Sequence, residues 1–215
     1  MPSSYKLIYF DRKGRAEPMR FLFVLAGVKF EDKRLALGGD EWKAMKPKTG
    51  LGALPVLVVD GKEIPQSTAI LRYVGGELGF IPKNLLEVAD MDVVLETIND
   101  LRPSMRPIFF EQDATKKAEM SKHFLAEGCQ PPFNNLEKLL KQNKGGKGFF
   151  VGDKMTLADV VIFSLMYDGI SGLTGMEAGD LSYLRGQPLI KAFVERFKTE
   201  PTLADWLKKR PKTSF

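Results

Sequence analysis

The sequence predicts a small α/β domain followed by a larger all-helical one. Three observations carry this prediction. Strand-like runs alternate with a helical pattern up to about residue 79 and then stop. Past Gly79-Phe80-Ile81-Pro82-Lys83-Asn84, which reads as a linker, the apolar residues recur at helical spacing and no segment reads as a strand. Between the two, Ala53 to Ser67 reads as a proline-initiated strand, a tight turn, a second strand and a polar pair opening a helix. At 215 residues the chain suits one small domain plus a larger one. The boundaries read as 1–79 for the first domain, 80–85 for the linker and 86–215 for the helical domain.

Each element follows from its residues. Tyr5 to Phe10, rich in aromatic and branched side chains, reads as a strand that Asp11-Arg12-Lys13-Gly14 breaks. Arg15 to Ala26 reads as a helix with Pro18 in its first turn and Gly27 as its stop. Lys29 to Leu35 fits a second strand, and Leu37 to Gly52, with its glycines, proline and Trp42, reads as irregular. Val56 to Val59 and Lys62 to Ile64 make a hairpin across Asp60-Gly61. Ser67 then starts a helix that runs to about Leu78. In the second domain, Leu85 to about Phe110 and Lys116 to Gln142 show helical spacing, broken by Pro103, Pro107 and Pro131-Pro132. Further helices begin near Thr156, Pro188 and Thr202.

The helix start at Met155-Thr156-Leu157-Ala158-Asp159-Val160 has a full set of signals. Thr156 caps the N–H three residues on, Asp159 reaches back to the Thr156 N–H, and Met155 packs on Val160. Asp159 therefore reads as a structural residue.

Composition narrows the function classes. An apolar content of 44% is that of an ordinary globular protein. No apolar run approaches the roughly 18 residues of a membrane span. Met1-Pro2-Ser3-Ser4-Tyr5-Lys6 lacks the layout of a signal peptide. The single cysteine, Cys129, excludes an intrachain disulfide, and the expected compartment is the reducing cytoplasm. A net charge of +5 invites a nucleic-acid reading, but 27 acidic residues are interleaved among 32 basic ones without an aromatic-interleaved basic motif. No nucleic-acid and no membrane partner is expected, although the positive bias suits the steering of small anions. The lone His123 has no partner ligands in sight, so no metal is expected.

The Ala53–Ser67 segment points to a ligand. A residue held extended before proline offers its N–H and C=O to a peptide-like molecule. A helix start offers unsatisfied N–H groups to a carboxylate. Side by side, the two suit a small, extended, anionic peptide.

The β-α-β then β-β-α order, with Pro55 opening the third strand, resembles the thioredoxin-like arrangement. Asp11-Arg12-Lys13-Gly14 stands where thioredoxins carry Cys-x-x-Cys, which excludes disulfide exchange. With its helical domain, the whole chain resembles the cytosolic glutathione transferases, most closely the sigma class. The matching pieces are Tyr5-Lys6-Leu7-Ile8-Tyr9-Phe10, Gly14-Arg15-Ala16-Glu17, Trp42, Leu54-Pro55-Val56-Leu57, Gln66-Ser67-x-Ala69-Ile70-x-Arg72-Tyr73, Gly152 to Asp159, and Lys209-Arg210-Pro211. Their order and spacing make the resemblance specific.

The resemblance implies roles. Tyr9 is the catalytic hydrogen-bond donor to the glutathione sulfur, with Arg15 in support; by residue pattern alone Tyr9 also fits an ordinary strand tyrosine. Trp42 and Lys46 grip the glycine end of glutathione. Leu54, across a cis bond to Pro55, pairs its backbone with the cysteinyl residue. Gln66 and Ser67 hold the γ-glutamyl carboxylate, while Ser67 equally fits a plain helix cap. Asp100 reaches glutathione bound to the partner subunit of a homodimer, or else is an exposed helix acid. The electrophile lies over Phe10, Lys13, Gly14, Arg106, Phe109 and Phe110. Glutathione is then a co-substrate, and the reaction conjugates its thiolate to small hydrophobic electrophiles. The same family resemblance allows an S-crystallin-like structural protein with little activity, a prostaglandin D synthase-type isomerase, or a carrier of bulky apolar ligands. The stretch Arg106-Pro107-Ile108-Phe109-Phe110 lacks the tryptophan expected for the isomerase.

Overall fold

The computed structural model describes residues 4–213. Met1, Pro2 and Ser3, on which the signal-peptide reading partly rests, lie outside the described residues, as do the last two residues of the predicted helical domain. The chain forms two compact units. One extends to Ile81 and takes in the segment from Pro201; the other is Pro82–Glu200.

The first unit is a four-stranded mixed sheet of order β2-β1-β3-β4, with β1 (Tyr5–Phe10), β2 (Glu31–Leu35), β3 (Val56–Val59) and β4 (Lys62–Pro65). β1 pairs in parallel with β2 and antiparallel with β3, so both its edges are occupied. Helix α1 (Glu17–Leu25) follows a 3-10 turn at Gly14–Ala16 and carries Pro18 in its first turn, where a missing N–H costs nothing. It buries Met19, Phe21, Leu22 and Phe23, and Phe23 packs between Tyr5 at 5.1 Å and Phe30 at 4.6 Å. The 37–52 segment, expected to be irregular, contains helix α2 (Asp40–Met45) and a 3-10 turn at Lys46–Lys48. Its glycines and Pro47 flank rather than interrupt that helix, and Asp40 and Glu41 favour its start. The expected early start of β2 at Lys29 is corrected to Glu31. Helix α3 (Ser67–Glu77) closes the run.

The C-terminal helix (Pro201–Lys209), which the sequence division counts with the helical domain, packs into this first compact unit. Leu203 is fully buried, and Arg210 pairs with the buried Glu17 of α1 at 2.7 Å. An amphipathic pattern alone does not say which core a helix will cover.

The second unit is all helical among the described residues: α4 (Leu85–Asn99), α5 (Arg102–Phe110), α6 (Ala114–His123), α7 (Gln130–Gln142), α8 (Leu157–Ser164), α9 (Ile170–Thr174) and α10 (Pro188–Phe197). Pro131 and Pro132 sit in the first turn of α7, where they are tolerated, after a wide π turn at Phe124–Gly128. A second wide turn, Leu165–Gly169, joins α8 to α9. There the Tyr183 hydroxyl donates to the Met166 carbonyl at 2.6 Å, and the Gly179 N–H to that of Tyr167 at 2.8 Å. The helical stretch Leu157–Thr174 is long and apolar enough to cross a membrane, which the sequence reading missed because Asp159 and Asp168 interrupt the run. With 72% of it buried inside the protein, it forms the core of its unit.

Asp159 is the anchor of α8. Its carboxylate accepts from the Thr156 N–H at 2.7 Å, the Thr156 hydroxyl at 2.8 Å and the Phe150 N–H at 2.8 Å. The reciprocal bond to the Thr156 side chain is also made, so the predicted capping box is present. Complete burial pushes the carboxyl up to about 6 in spite of those donors.

Candidate active site in the first unit

Tyr9 stands near the end of β1, its backbone fixed opposite Arg34 of β2. Past Phe10 the chain doubles back through Asp11-Arg12-Lys13, and Gly14 takes φ +41°. A Cβ at Gly14 would lie 2.8 Å from the Tyr9 hydroxyl, so only glycine admits both this backbone and this approach. The Arg15 main-chain N–H then donates to Tyr9 Oη at 3.4 Å. Arg15 thus meets Tyr9 through its backbone at the helix entry. With its oxygen accepting, the Tyr9 hydroxyl keeps its own proton free to donate.

Arg20 holds this turn from below. It is fully buried, and its Nη1 donates to the carbonyls of Arg12 at 3.0 Å and Lys13 at 3.4 Å. The same guanidinium pairs with Glu17 at 2.9 Å and Asp32 at 3.1 Å, and Arg210 meets the other oxygen of Glu17. A buried cation needs such partners. In the sequence Arg20 has one signal, a charged residue inside the apolar run Met19-Arg20-Phe21-Leu22-Phe23.

Five of the predicted binding residues meet around one small pocket of about 40 Å³: Arg15, Leu54, Pro55, Gln66 and Ser67, with Leu51, Ala53 and Pro65 completing its wall. The Leu54-Pro55 bond is cis. Val56 is the first paired residue of β3, so the N–H and C=O of Leu54 make no main-chain hydrogen bond among the described residues. Gln66 occupies the cap position of α3 with φ 72° and ψ 117°, a backbone that a non-glycine residue rarely takes. That position lacks a sequence signature. Ser67 is the first residue inside α3 and buried, and the N-cap residue, Gln66, makes no side-chain capping bond. The reading of Ser67 as a plain cap is therefore corrected, because Gln66 already occupies that position.

Trp42 lies on α2, half-buried, its ring edge-on to Phe10 at 5.6 Å. The exposed Lys46 runs its stem past Gly52, where a Cβ would come within 3.8 Å of its Cγ. The remaining predicted residues fall in the other unit. Asp100 is exposed at the C-terminal cap of α4. Arg106, Phe109 and Phe110 lie on α5, the two rings edge-to-face at 5.2 Å, with Arg106 5.9 Å above the Phe110 ring. The predicted electrophile set is thus divided, with Phe10, Lys13 and Gly14 in the first unit.

Comparison with known proteins agrees with this architecture. Residues 5–76 match the family model of the glutathione S-transferase N-terminal domain, and residues 99–210 that of the C-terminal domain. The chain is 36% identical to glutathione S-transferase 1 of Ascaris suum, covering 98% of each chain. It is 35% identical to S-crystallin SL11 of Nototodarus sloanii over the whole of both. The structure of a monomeric glutathione S-transferase of Necator americanus superimposes with a TM-score of 0.83 at 36% identity, covering 99% of this chain and 100% of that one.

Proposed function

The chain belongs to the glutathione S-transferase family and is an enzyme of that kind; from that premise we propose that Tyr9 activates the glutathione thiol for attack on small hydrophobic electrophiles. A thiol with a pKa near 8.5 is only a few per cent ionised at neutral pH. A phenolic O–H donated to the sulfur favours the thiolate and shifts that balance. The thiolate then attacks the electrophilic carbon, a C–S bond forms, and the leaving group departs with its electron pair. The observation that carries the reading is the Arg15 N–H on Tyr9 Oη across Gly14. It occupies one acceptor site of the oxygen from the protein side and leaves the proton for a ligand.

Glutathione is held, in this reading, by the unpaired backbone of Leu54 at its cysteinyl residue. Gln66, Ser67 and the start of α3 hold its γ-glutamyl carboxylate, and Trp42 and Lys46 its glycine end. Phe10, Lys13, Gly14, Arg106, Phe109 and Phe110 receive the electrophile. Asp100 serves the partner's site in a homodimer of the sigma class, working in the cytoplasm in detoxification.

The test is Tyr9→Phe. The variant is expected to bind glutathione almost normally and to lose about tenfold or more in rate, about 1.4 kcal/mol of barrier. Equal rates for both proteins remove Tyr9 as catalyst. A wild type that fails to bind glutathione favours an S-crystallin-like structural role. Sedimentation with Asp100→Asn kinetics tests the dimer: a monomer whose kinetics ignore the substitution rejects it.

A further inference from the structure

A second cavity in the first unit, of about 310 Å³, is lined by none of the residues assigned to glutathione. It lies between the turn after β1 and the end of the C-terminal helix, and is lined by Lys13, Leu207, Lys208, Arg210, Pro211, Lys212 and Thr213. Four of these seven residues are cationic and none is acidic. The nearby compensating charges are engaged in part: Arg210 meets Glu17, and Asp205 is taken by Lys209 at 2.7 Å, a lysine outside the lining. Lys208 and Lys212 make no ion pair among the described residues. Such a wall concentrates positive potential where water is partly displaced.

Two features narrow the ligand. The volume reaches the range of small-molecule sites, larger than a single inorganic anion requires. Leu207, Pro211 and the lysine stems give the wall an apolar share, suited to an organic body with a charged end. The position narrows it further, because Lys13 directly precedes Gly14, whose Cα faces the Tyr9 hydroxyl. We propose that this cavity receives the carboxylate end of the second substrate, so that the enzyme prefers small aromatic electrophiles bearing a carboxylate over neutral ones. The proposal rests on the transferase reading for its substrate, and on the cavity alone for its charge preference.

The experiment uses the full chain and the double variant Lys208→Gln/Lys212→Gln, and has two arms. In the first, kcat/KM is measured at fixed glutathione for 1-chloro-2,4-dinitrobenzene and for its carboxylated analogue, 4-chloro-3,5-dinitrobenzoate. The ratio of carboxylated to neutral substrate is expected to fall about tenfold in the variant, a loss within the range of two nearby charges at a partly wetted surface. The wild-type ratio is expected to drop similarly at about 1 M salt, where the Debye length is roughly 3 Å. In the second arm, titration calorimetry compares unreactive 3,5-dinitrobenzoate with 1,3-dinitrobenzene. Tighter binding of the anion, lost in the variant, supports the cavity. Equal binding of the two compounds, or undiminished anion binding by the variant, overturns the proposal. If neither chloride is conjugated, the transferase reading fails, and the calorimetry still decides the cavity.

Discussion

Two helix starts in this protein use one device to different ends. At the entry to α1, an oxygen from the neighbouring strand, Tyr9 Oη, accepts a single main-chain N–H at 3.4 Å on a half-exposed surface. At the start of α8, the Asp159 carboxylate accepts three donors at 2.7–2.8 Å with no exposure at all. Both satisfy donors that a helix start leaves over. The difference teaches what each oxygen is for. The saturated, buried one holds a fold together. The sparingly bonded one has a proton to spare, which is what the proposed role of Tyr9 needs.

The comparison can be broken or sharpened by substitution, beginning where the largest effect is expected. Asp159→Ala leaves three donors of the second unit unpaired and is expected to cost about 4 kcal/mol in chemical denaturation. A loss below about 1 kcal/mol would make the box as slight as the Tyr9 contact.

The pH dependence comes next. The folded carboxyl titrates near 6, above its ordinary 3.8. The folded chain therefore holds a proton where the unfolded chain has lost it. The stability contributed by that proton is complete below about 3.8 and is lost as pH rises through 6. Relative to Asp159→Asn, which cannot titrate, the wild type should lose about 2 kcal/mol of unfolding free energy between pH 4 and pH 7. A flat difference between the two proteins across that window contradicts the raised value.

Gly14→Ala tests the other helix start. Its φ of +41° and a Cβ 2.8 Å from the Tyr9 hydroxyl force the turn to shift. A loss of about 2 kcal/mol in stability is expected, with a fall in kcat resembling that of Tyr9→Phe. A normal kcat would show that the Arg15 N–H is dispensable. The smallest effect is at Ser67, which sits inside α3 rather than at its cap position. Ser67→Ala should raise the KM for glutathione about fivefold, near 1 kcal/mol, and leave Tm within a degree or so. A fall in Tm of several degrees would instead mark a structural hydroxyl.

Local signals in the sequence were sufficient where a residue's role is local. The hairpin across Asp60-Gly61, the box at Thr156 and the turn at Gly14 each announce themselves in a few residues. What stayed hidden depends on distant partners. Arg20 reads as an oddity in an apolar run until Asp32 and the carbonyls of Arg12 and Lys13 surround it. The φ of Gln66 is imposed by the junction of β4 and α3 and not by a glutamine preference. The C-terminal helix shows an apolar face in sequence, but only Leu203 and the Arg210–Glu17 pair say which unit it covers. The helix at Asp40–Met45 was masked by the glycines and proline around it.

The pairing of Arg210 with Glu17 has a consequence for biosynthesis. The two residues are 193 positions apart. Translation at about 5–20 residues per second separates their appearance by roughly 10–40 s. Through that interval the nascent sheet and α1 must shelter Glu17 with Arg20 as its sole guanidinium partner of the two. The turn that brings the Arg15 N–H to Tyr9 rests on Arg20, so the ion network beneath it is completed only by a residue made 193 positions after Glu17.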